Sequence, residues 1–144
     1  MPKILFKKLH EKAVLPRYET PEAAGADVRA VKPFIITPGA RGLIPTGLGC
    51  EIEPGWEIQV RPRSGLAFKQ GVTVLNSPGT IDSDYTGELG VLVVNLGQED
   101  LVIEIGDRIA QIVVAPVTQG SFGWTDTQRD TERGAGGFGS TGVA

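Results

Sequence analysis

The chain has 144 residues, with 14 Lys and Arg against 17 Asp and Glu, a net charge of −3. This length suits one domain with its own core, and a single His and a single Cys exclude both a Cys/His zinc cage and a disulfide within the chain. The mild acidity argues against a duplex-DNA binder, which needs a basic face, and with His10 near the N-terminus any acid–base chemistry falls to carboxylates.

From the N-terminus, Met1–Lys8 is a short apolar run broken by lysines, with no signal-peptide pattern. The longest nearly apolar stretch, Ile109–Val117, is far short of the roughly 20 residues of a spanning helix. The expectation is a soluble cytoplasmic protein with neither a membrane nor a stable nucleic-acid partner. The hydrophobic period is two rather than 3.6: in Trp56-Glu57-Ile58-Gln59-Val60-Arg61 apolar and polar residues alternate, the mark of a half-buried strand. Strands are predicted over 4–9, 27–31, 34–37, 42–52, 56–61, 71–75, 88–95, 101–104 and 108–117, with one short helix over 64–70. The continuous runs Val91–Val94 and Ile112–Val114 predict strands covered on both faces. Pro38-Gly39, Pro54-Gly55 and Pro78-Gly79 punctuate the body with tight turns. Many short strands between such turns predict an all-β sandwich, barrel or jelly roll.

The composition changes near Thr118. Residues 118–144 carry seven of the 20 glycines and almost no aliphatic residues. That segment cannot bury enough apolar surface to fold by itself. It nonetheless holds Phe122, Trp124 and Phe138, so it reads as an arm that orders on a partner or ligand.

Five segments carry residue types with chemistry. In Arg133-Gly134-Ala135-Gly136-Gly137-Phe138-Gly139-Ser140-Thr141-Gly142, glycines let N–H groups converge on an anion, and Arg and hydroxyls add charge-assisted bonds. Phe138 offers a face for a base to stack on. No Lys precedes Ser140-Thr141, so this is no Walker A loop; a plain Gly-rich linker explains it equally well. In Arg61–Ala67, Arg63 and Ser64 at a helix start suit one anion, and Ser64 as an ordinary N-cap is the alternative. Asn76–Leu89 is crowded with turn formers; it offers an amide at Asn76, a flat face at Tyr85 and a carboxylate at Asp82, which neighbouring Ile81 suggests is partly buried. An Asx-type turn is the plain alternative, and Asp84 suits that better than Asp82. In Gly106–Gln111 strict alternation places Arg108, Ala110 and Ile112 on one face and Ile109 and Gln111 on the other, so the Gln111 amide needs a partner, backbone being the simplest. Ala24–Ala30 reads as a strand start with Asp27 capping a turn.

Taken together and in order, these segments resemble the five motifs of the trimeric dUTP diphosphatases (dUTPases). The match runs through Ala-Gly-x-Asp at 24–27, Pro-Arg-Ser-Gly-Leu-Ala at 62–67 and Gly-x-Ile-Asp-x-x-Tyr-x-Gly-Glu at 79–88. It continues through Gly-Asp-Arg-Ile-Ala-Gln at 106–111 and Arg-Gly-x-Gly-Gly-Phe-Gly-Ser-Thr-Gly at 133–142. The resemblance implies a jelly-roll-like β-barrel (the dUTPase-like β-clip) with one short helix and a flexible Gly-rich arm, residues 1–117 forming the core and 118–144 the arm. It implies Mg²⁺-dependent hydrolysis of dUTP to dUMP and diphosphate by a homotrimer whose active sites are shared between three subunits, the arm closing over a neighbour's site. This limits uracil in DNA and supplies dUMP for thymidylate.

By motif position, the resemblance makes Asp82 the residue that holds the deoxyribose 3′-OH and orients the attacking water. It makes Tyr85 the residue that packs under the sugar and excludes a 2′-OH, and Asn76 with the hairpin backbone at Gly79 the uracil reader. Arg63, Ser64, Gly65 and Gln111 become phosphate ligands, and Asp27 the carboxylate that holds a metal-bound water. From the arm, Phe138 stacks on uracil, with Gly139 beside it, while Arg133, Ser140 and Thr141 grip the γ-phosphate. The dCTP deaminases share this fold, but the complete Gly-rich segment and Gly-Thr-Ile-Asp-Ser-Asp-Tyr favour the diphosphatase. A non-enzymatic jelly-roll module explains the strands but not five polar motifs.

Overall fold

The computed structural model describes residues 1–144. Ten strands and one helix follow in order: β1 (Ile4–Lys8), β2 (Ala26–Arg29), β3 (Phe34–Ile36), β4 (Arg41–Ile52), β5 (Trp56–Arg61), α1 (Ser64–Gln70), β6 (Val72–Val74), β7 (Gly79–Ile81), β8 (Glu88–Asn95), β9 (Leu101–Ile103) and β10 (Arg108–Pro116). The strands form two four-stranded sheets, β1-β4-β8-β6 and β2-β10-β5-β7, and a β3-β9 ribbon, antiparallel throughout. The all-β jelly-roll expectation holds, with sheets that keep open edges at β1, β6, β2 and β7 rather than closing into one hydrogen-bonded barrel. No helix is long and apolar enough to cross a membrane.

One cluster of 23 buried residues joins the sheets. Ile44, Leu48 and Val91 enter it from the first sheet, and Val28, Ile58, Val60 and Ile112 from the second. Each fully buried aliphatic side chain there contributes about 1.5–3 kcal/mol. Cys50 is buried with them, and burial pushes its thiol up to about 11, so it stays protonated at neutral pH.

The structure departs from the sequence expectations in particular places. The turn-rich segment after Asn76 contains a further strand, β7, paired with β5. In β10 the register shifts between Arg108 and Ala110. This bulge breaks strict alternation, so Ile109 and Ala110 are both buried while Arg108 points outward. The runs at Val91–Val94 and Ile112–Val114 are not covered on both faces within one chain: Leu92, Val113 and Val114 stay half-buried. Ser64 does not cap α1. The capping position is Arg63, with no side-chain cap bond, and Ser64 is the first helical residue. At the other end Gly71 takes the left-handed conformation (φ 67°) that closes the helix onto the carbonyls of Leu66 and Ala67.

A buried amide locks the β8 terminus. Asn95 Nδ2 donates to the carbonyls of Ile36 and Glu99, both at 2.8 Å, and Oδ1 accepts the Gly97 N–H at 2.9 Å. Asn95 has no solvent exposure. Asn95→Leu leaves three polar backbone groups without their partner, so it is expected to lower unfolding stability by about 2–4 kcal/mol, read from the urea midpoint at fixed protein concentration.

Candidate active site

The second sheet brings four of the motif residues to one corner. Gln111 on β10 faces Asp27 on β2 on one side and Arg61 on β5 on the other. Asp27 is buried, with a side chain 4 % exposed, and it is the focus of the corner. Its Oδ1 lies 3.4 Å from Arg63 Nε and accepts a long bond of 3.4 Å from Gln111 Nε2, while Oδ2 accepts Arg108 Nη1 at 3.2 Å. The Gln111 amide therefore finds a carboxylate as its partner rather than backbone. Arg63 Nη1 in turn donates to the Arg108 carbonyl at 3.3 Å.

Beside this cluster α1 begins. The first-turn N–H groups of Ser64 and Gly65 have no partner in the helix. Open space surrounds the place where a Gly65 side chain would stand, so an anion can reach the backbone there. Arg29, Arg63 and Arg108 also line a cavity of about 320 Å³ floored by Val72, Val93 and Leu101. Arg29 is tied by Nη1 to the Gly106 carbonyl at 2.7 Å. Sequence reasoning left Arg29 and Arg108 out of the site. Their signal is a cation beside a predicted strand, and only the cross-strand register shows that both point to this corner.

The third segment forms a separate cleft. Leu43, Thr80, Asp82, Tyr85 and Glu88 surround about 250 Å³. Asp82 is exposed in the single chain, which corrects the expectation of partial burial; the buried motif carboxylate is Asp27. The Tyr85 N–H donates to the Asp82 carbonyl at 3.1 Å and the Tyr85 hydroxyl to the Glu88 carbonyl at 2.9 Å. Asn76 is exposed, its amide next to Gly79. Gly79 opens β7, the edge strand of its sheet, whose outward N–H and C=O groups have no strand partner.

These two places are far apart in one chain. Ile81 faces Ile58, so Asp82 stands about four residue rows from Arg61 and its neighbours Gln111 and Asp27. With three strand spacings between β7 and β2, the separation is roughly 20 Å. The arm stands apart from both. The last backbone bond to the body runs from the Val117 N–H to the Gly55 carbonyl. Beyond it, Arg133, Phe138, Gly139, Ser140 and Thr141 are all exposed. Arg133 Nε donates to the Gly136 carbonyl at 2.8 Å, and Phe138 sits at φ 48° with its ring free.

The buried carboxylate between two guanidinium groups makes a stability test available. Asp27→Asn keeps the volume and removes the charge. The expected loss is about 1–2 kcal/mol, at the lower end of charged hydrogen bonds because Arg63 and Arg108 are partly solvated. Urea denaturation of Asp27→Asn and Arg108→Met singly and together measures the coupling.

Comparison with known proteins agrees with this geometry. The dUTPase family profile matches residues 11–142. The deoxyuridine 5′-triphosphate nucleotidohydrolase of Treponema denticola is 60 % identical over 142 residues, covering 97 % of this chain and 99 % of the relative. Two solved structures share the fold. A dUTPase of Staphylococcus bacteriophage 80alpha with dUpNHpp superposes with a TM-score of 0.86 at 24 % identity, covering 98 % of this chain and 99 % of that one. A mutant dUTPase from phage phi11 of S. aureus, described with a structural Mg(II) ion, superposes with a TM-score of 0.80 at 20 % identity, covering 87 % and 97 %. With its five segments in order, its two clefts and a family match over nearly its whole length, the chain belongs to the dUTPase family.

Proposed function

We propose that the anion corner at Asp27 and the Asp82 cleft are the two halves of a dUTP-hydrolysing site, completed by neighbouring copies of the chain. As a dUTPase the protein hydrolyses dUTP to dUMP and diphosphate. The observation that carries the division of labour is the separation of roughly 20 Å between Asp82 and Asp27, too far for one chain to bring both to one α-phosphate. A homotrimer resolves this if one subunit supplies Arg63, Ser64, Gly65 and Gln111 to the phosphates and another supplies Asn76, Gly79, Asp82 and Tyr85 to the nucleoside. Exposed Leu5, Leu9, Leu15, Tyr18 and Leu43, with half-buried Val113 and Val114, support extensive contact between copies. The arm, residues 118–144, reaches a third site through Arg133, Phe138, Gly139, Ser140 and Thr141; its lack of bonds to its own body supports this. Residues 1–117 form the core that presents it.

In this arrangement the edge of β7 reads the uracil edge with backbone groups, and Asn76 adds an amide. Tyr85 lies under the deoxyribose and closes the space of a 2′-OH. Asp82 holds the 3′-OH and accepts the proton of a water that attacks the α-phosphorus. A bond forms from water oxygen to phosphorus, the bond to the α–β bridging oxygen breaks, and diphosphate leaves. Arg63 and the Ser64 and Gly65 N–H groups meet the negative charge that develops there. Phe138 stacking on the base and Arg133, Ser140 and Thr141 on the γ-phosphate exclude water and hold the chain in line.

No three His, Cys, Asp or Glu side chains gather anywhere in the chain. That donor set fits a hard Mg²⁺ held mainly by triphosphate oxygens and its own waters. Asp27 accepts hydrogen bonds from Arg108 and Gln111, pairs with Arg63, and keeps acceptor capacity for a metal-bound water. When bound, Mg²⁺ neutralises phosphate charge and stabilises the leaving diphosphate. A hydrolase of free nucleotides with these properties works in the cytoplasm, with no nucleic acid or membrane as partner.

Two experiments test the reading. Asp82→Asn is expected to lower kcat by about 10²–10⁴-fold with dUTP affinity nearly unchanged. Asp82→Asn and Arg63→Met proteins, each inactive, are then unfolded, mixed and refolded together. Activity returns if the two residues serve one site from different chains, and stays absent if they act from the same chain. Removing residues 130–144 is expected to leave a folded assembly with the native melting temperature and a large loss of kcat/KM; unfolding on truncation would instead make the arm part of the core.

A further inference from the structure

The Tyr85 loop leads into Glu88, the first residue of β8, whose side chain crosses to β4. Residues 82–87 project between β7 and β8. Inside the loop, the Tyr85 N–H bonds to the Asp82 carbonyl and its hydroxyl to the Glu88 carbonyl. The Tyr85 ring lies flat against Gly87, where any side chain would collide with it. The hydroxyl bond hangs the loop on the first residue of β8, which stands opposite Gly49 of β4. The Glu88 carboxylate adds a hold across the bulge: Oε1 accepts the Gly47 N–H of β4 at 2.8 Å.

The acceptor's partner is rigid. Gly47 stands where the β4–β8 register slips between Pro45 and Gly49. It takes a left-handed φ of 68°, and a Cβ there would stand 2.7 Å from His10 Cβ and 2.9 Å from Ala13 Cβ. Its carbonyl accepts the Leu9 N–H at 2.8 Å. The bulge therefore rests on the N-terminal turn and on buried Ala13 and Val31. Next to it, the Thr46 hydroxyl donates to the Leu89 carbonyl. Glu88 also lines the cleft that holds Asp82 and Tyr85.

We infer that Glu88 is a positioning residue for sugar selection: by bonding the Gly47 bulge it seats the start of β8, from which the Tyr85 hydroxyl hangs, and so sets how closely the Tyr85 ring lies beneath the deoxyribose. The inference rests on the proposal that Tyr85 excludes a 2′-OH. A hydroxyl oxygen needs little extra space, so a loop end loosened at this tie admits a ribonucleotide before it loses the reaction. The bond needs an acceptor oxygen at the end of a three-carbon reach, not a charge. Gln supplies that oxygen, Asp is one methylene too short, and Ala supplies nothing.

The test compares kcat and KM for dUTP and UTP in Glu88→Ala, Glu88→Asp, Glu88→Gln and Tyr85→Leu, with melting temperatures for each. In Glu88→Ala and Glu88→Asp the preference for dUTP over UTP in kcat/KM is expected to fall about tenfold, the value of one part-buried hydrogen bond. That fall is expected through KM for both nucleotides, with kcat for dUTP within about twofold of the native enzyme. Glu88→Gln is expected to keep the native preference. An unchanged preference in the Ala and Asp variants overturns the inference, as does an equal loss in the Gln variant, which would make the charge the operative feature. If Glu88→Ala does not fold, the contrast between Asp and Gln decides by itself. Tyr85→Leu separates the two levels: if it loses the preference while Glu88→Ala keeps it, only the Glu88 role falls. If Tyr85→Leu keeps the preference, the sugar reading falls and the inference with it.

Discussion

The register of the β2-β10-β5-β7 sheet governs the rest of the molecule. Gln111 between Asp27 and Arg61 places the Asp27 corner at one end of the sheet, and Ile81 opposite Ile58 sends Asp82 toward the other. An antiparallel ladder with a buried face cannot slip by one residue without turning its whole apolar set to solvent. The distance between the two ends is therefore as firm as the core itself. Under the proposed function, a site for one nucleotide built from both ends draws on more than one chain.

The anion corner shows how a buried charge is kept. Asp27 would be costly in an apolar strand by itself. Arg63, Arg108 and Gln111 surround it, with Arg108 reaching the carboxylate from the solvent-exposed side while Ile109 and Ala110 stay in the core. The same geometry holds Arg63 at the start of α1, next to free N–H groups and a glycine with open space around it. A cation placed by a buried partner is pre-organised, so less side-chain freedom is lost when a phosphate arrives. The second cleft uses the opposite device. Its loop is exposed and held by backbone turns and one carboxylate, which leaves Asp82 and Tyr85 accessible to a neighbouring chain.

Much of this was legible in the residue order. Alternation in Trp56–Arg61 and the Pro-Gly turns were enough for an all-β body, and the five polar segments were enough for the family. The misses share one cause. β7 lay hidden among turn formers because three residues carry too little periodicity to separate from a loop. The β10 bulge buried Ile109 and Ala110 together against the expected alternation, because an inserted residue is invisible to strict alternation. Ser64, a favoured capping residue by type, stands one position inside the helix, where the capping place falls to Arg63.

What the sequence determined by itself is local or compositional: strand period, turn positions, the exclusion of zinc and histidine chemistry, the Gly-rich arm, and motif residues whose types declare phosphate, base and sugar. What only the tertiary structure decided is which of these meet. Asp27 and Arg108 are 81 residues apart in sequence and bonded in space, Glu88 reaches Gly47 across the sheet, and Asp82 stands away from the phosphate corner. Such pairings depend on register, bulges and the packing of one sheet on another. Those are set by the burial of all the strands together, and no single segment of the chain contains that information.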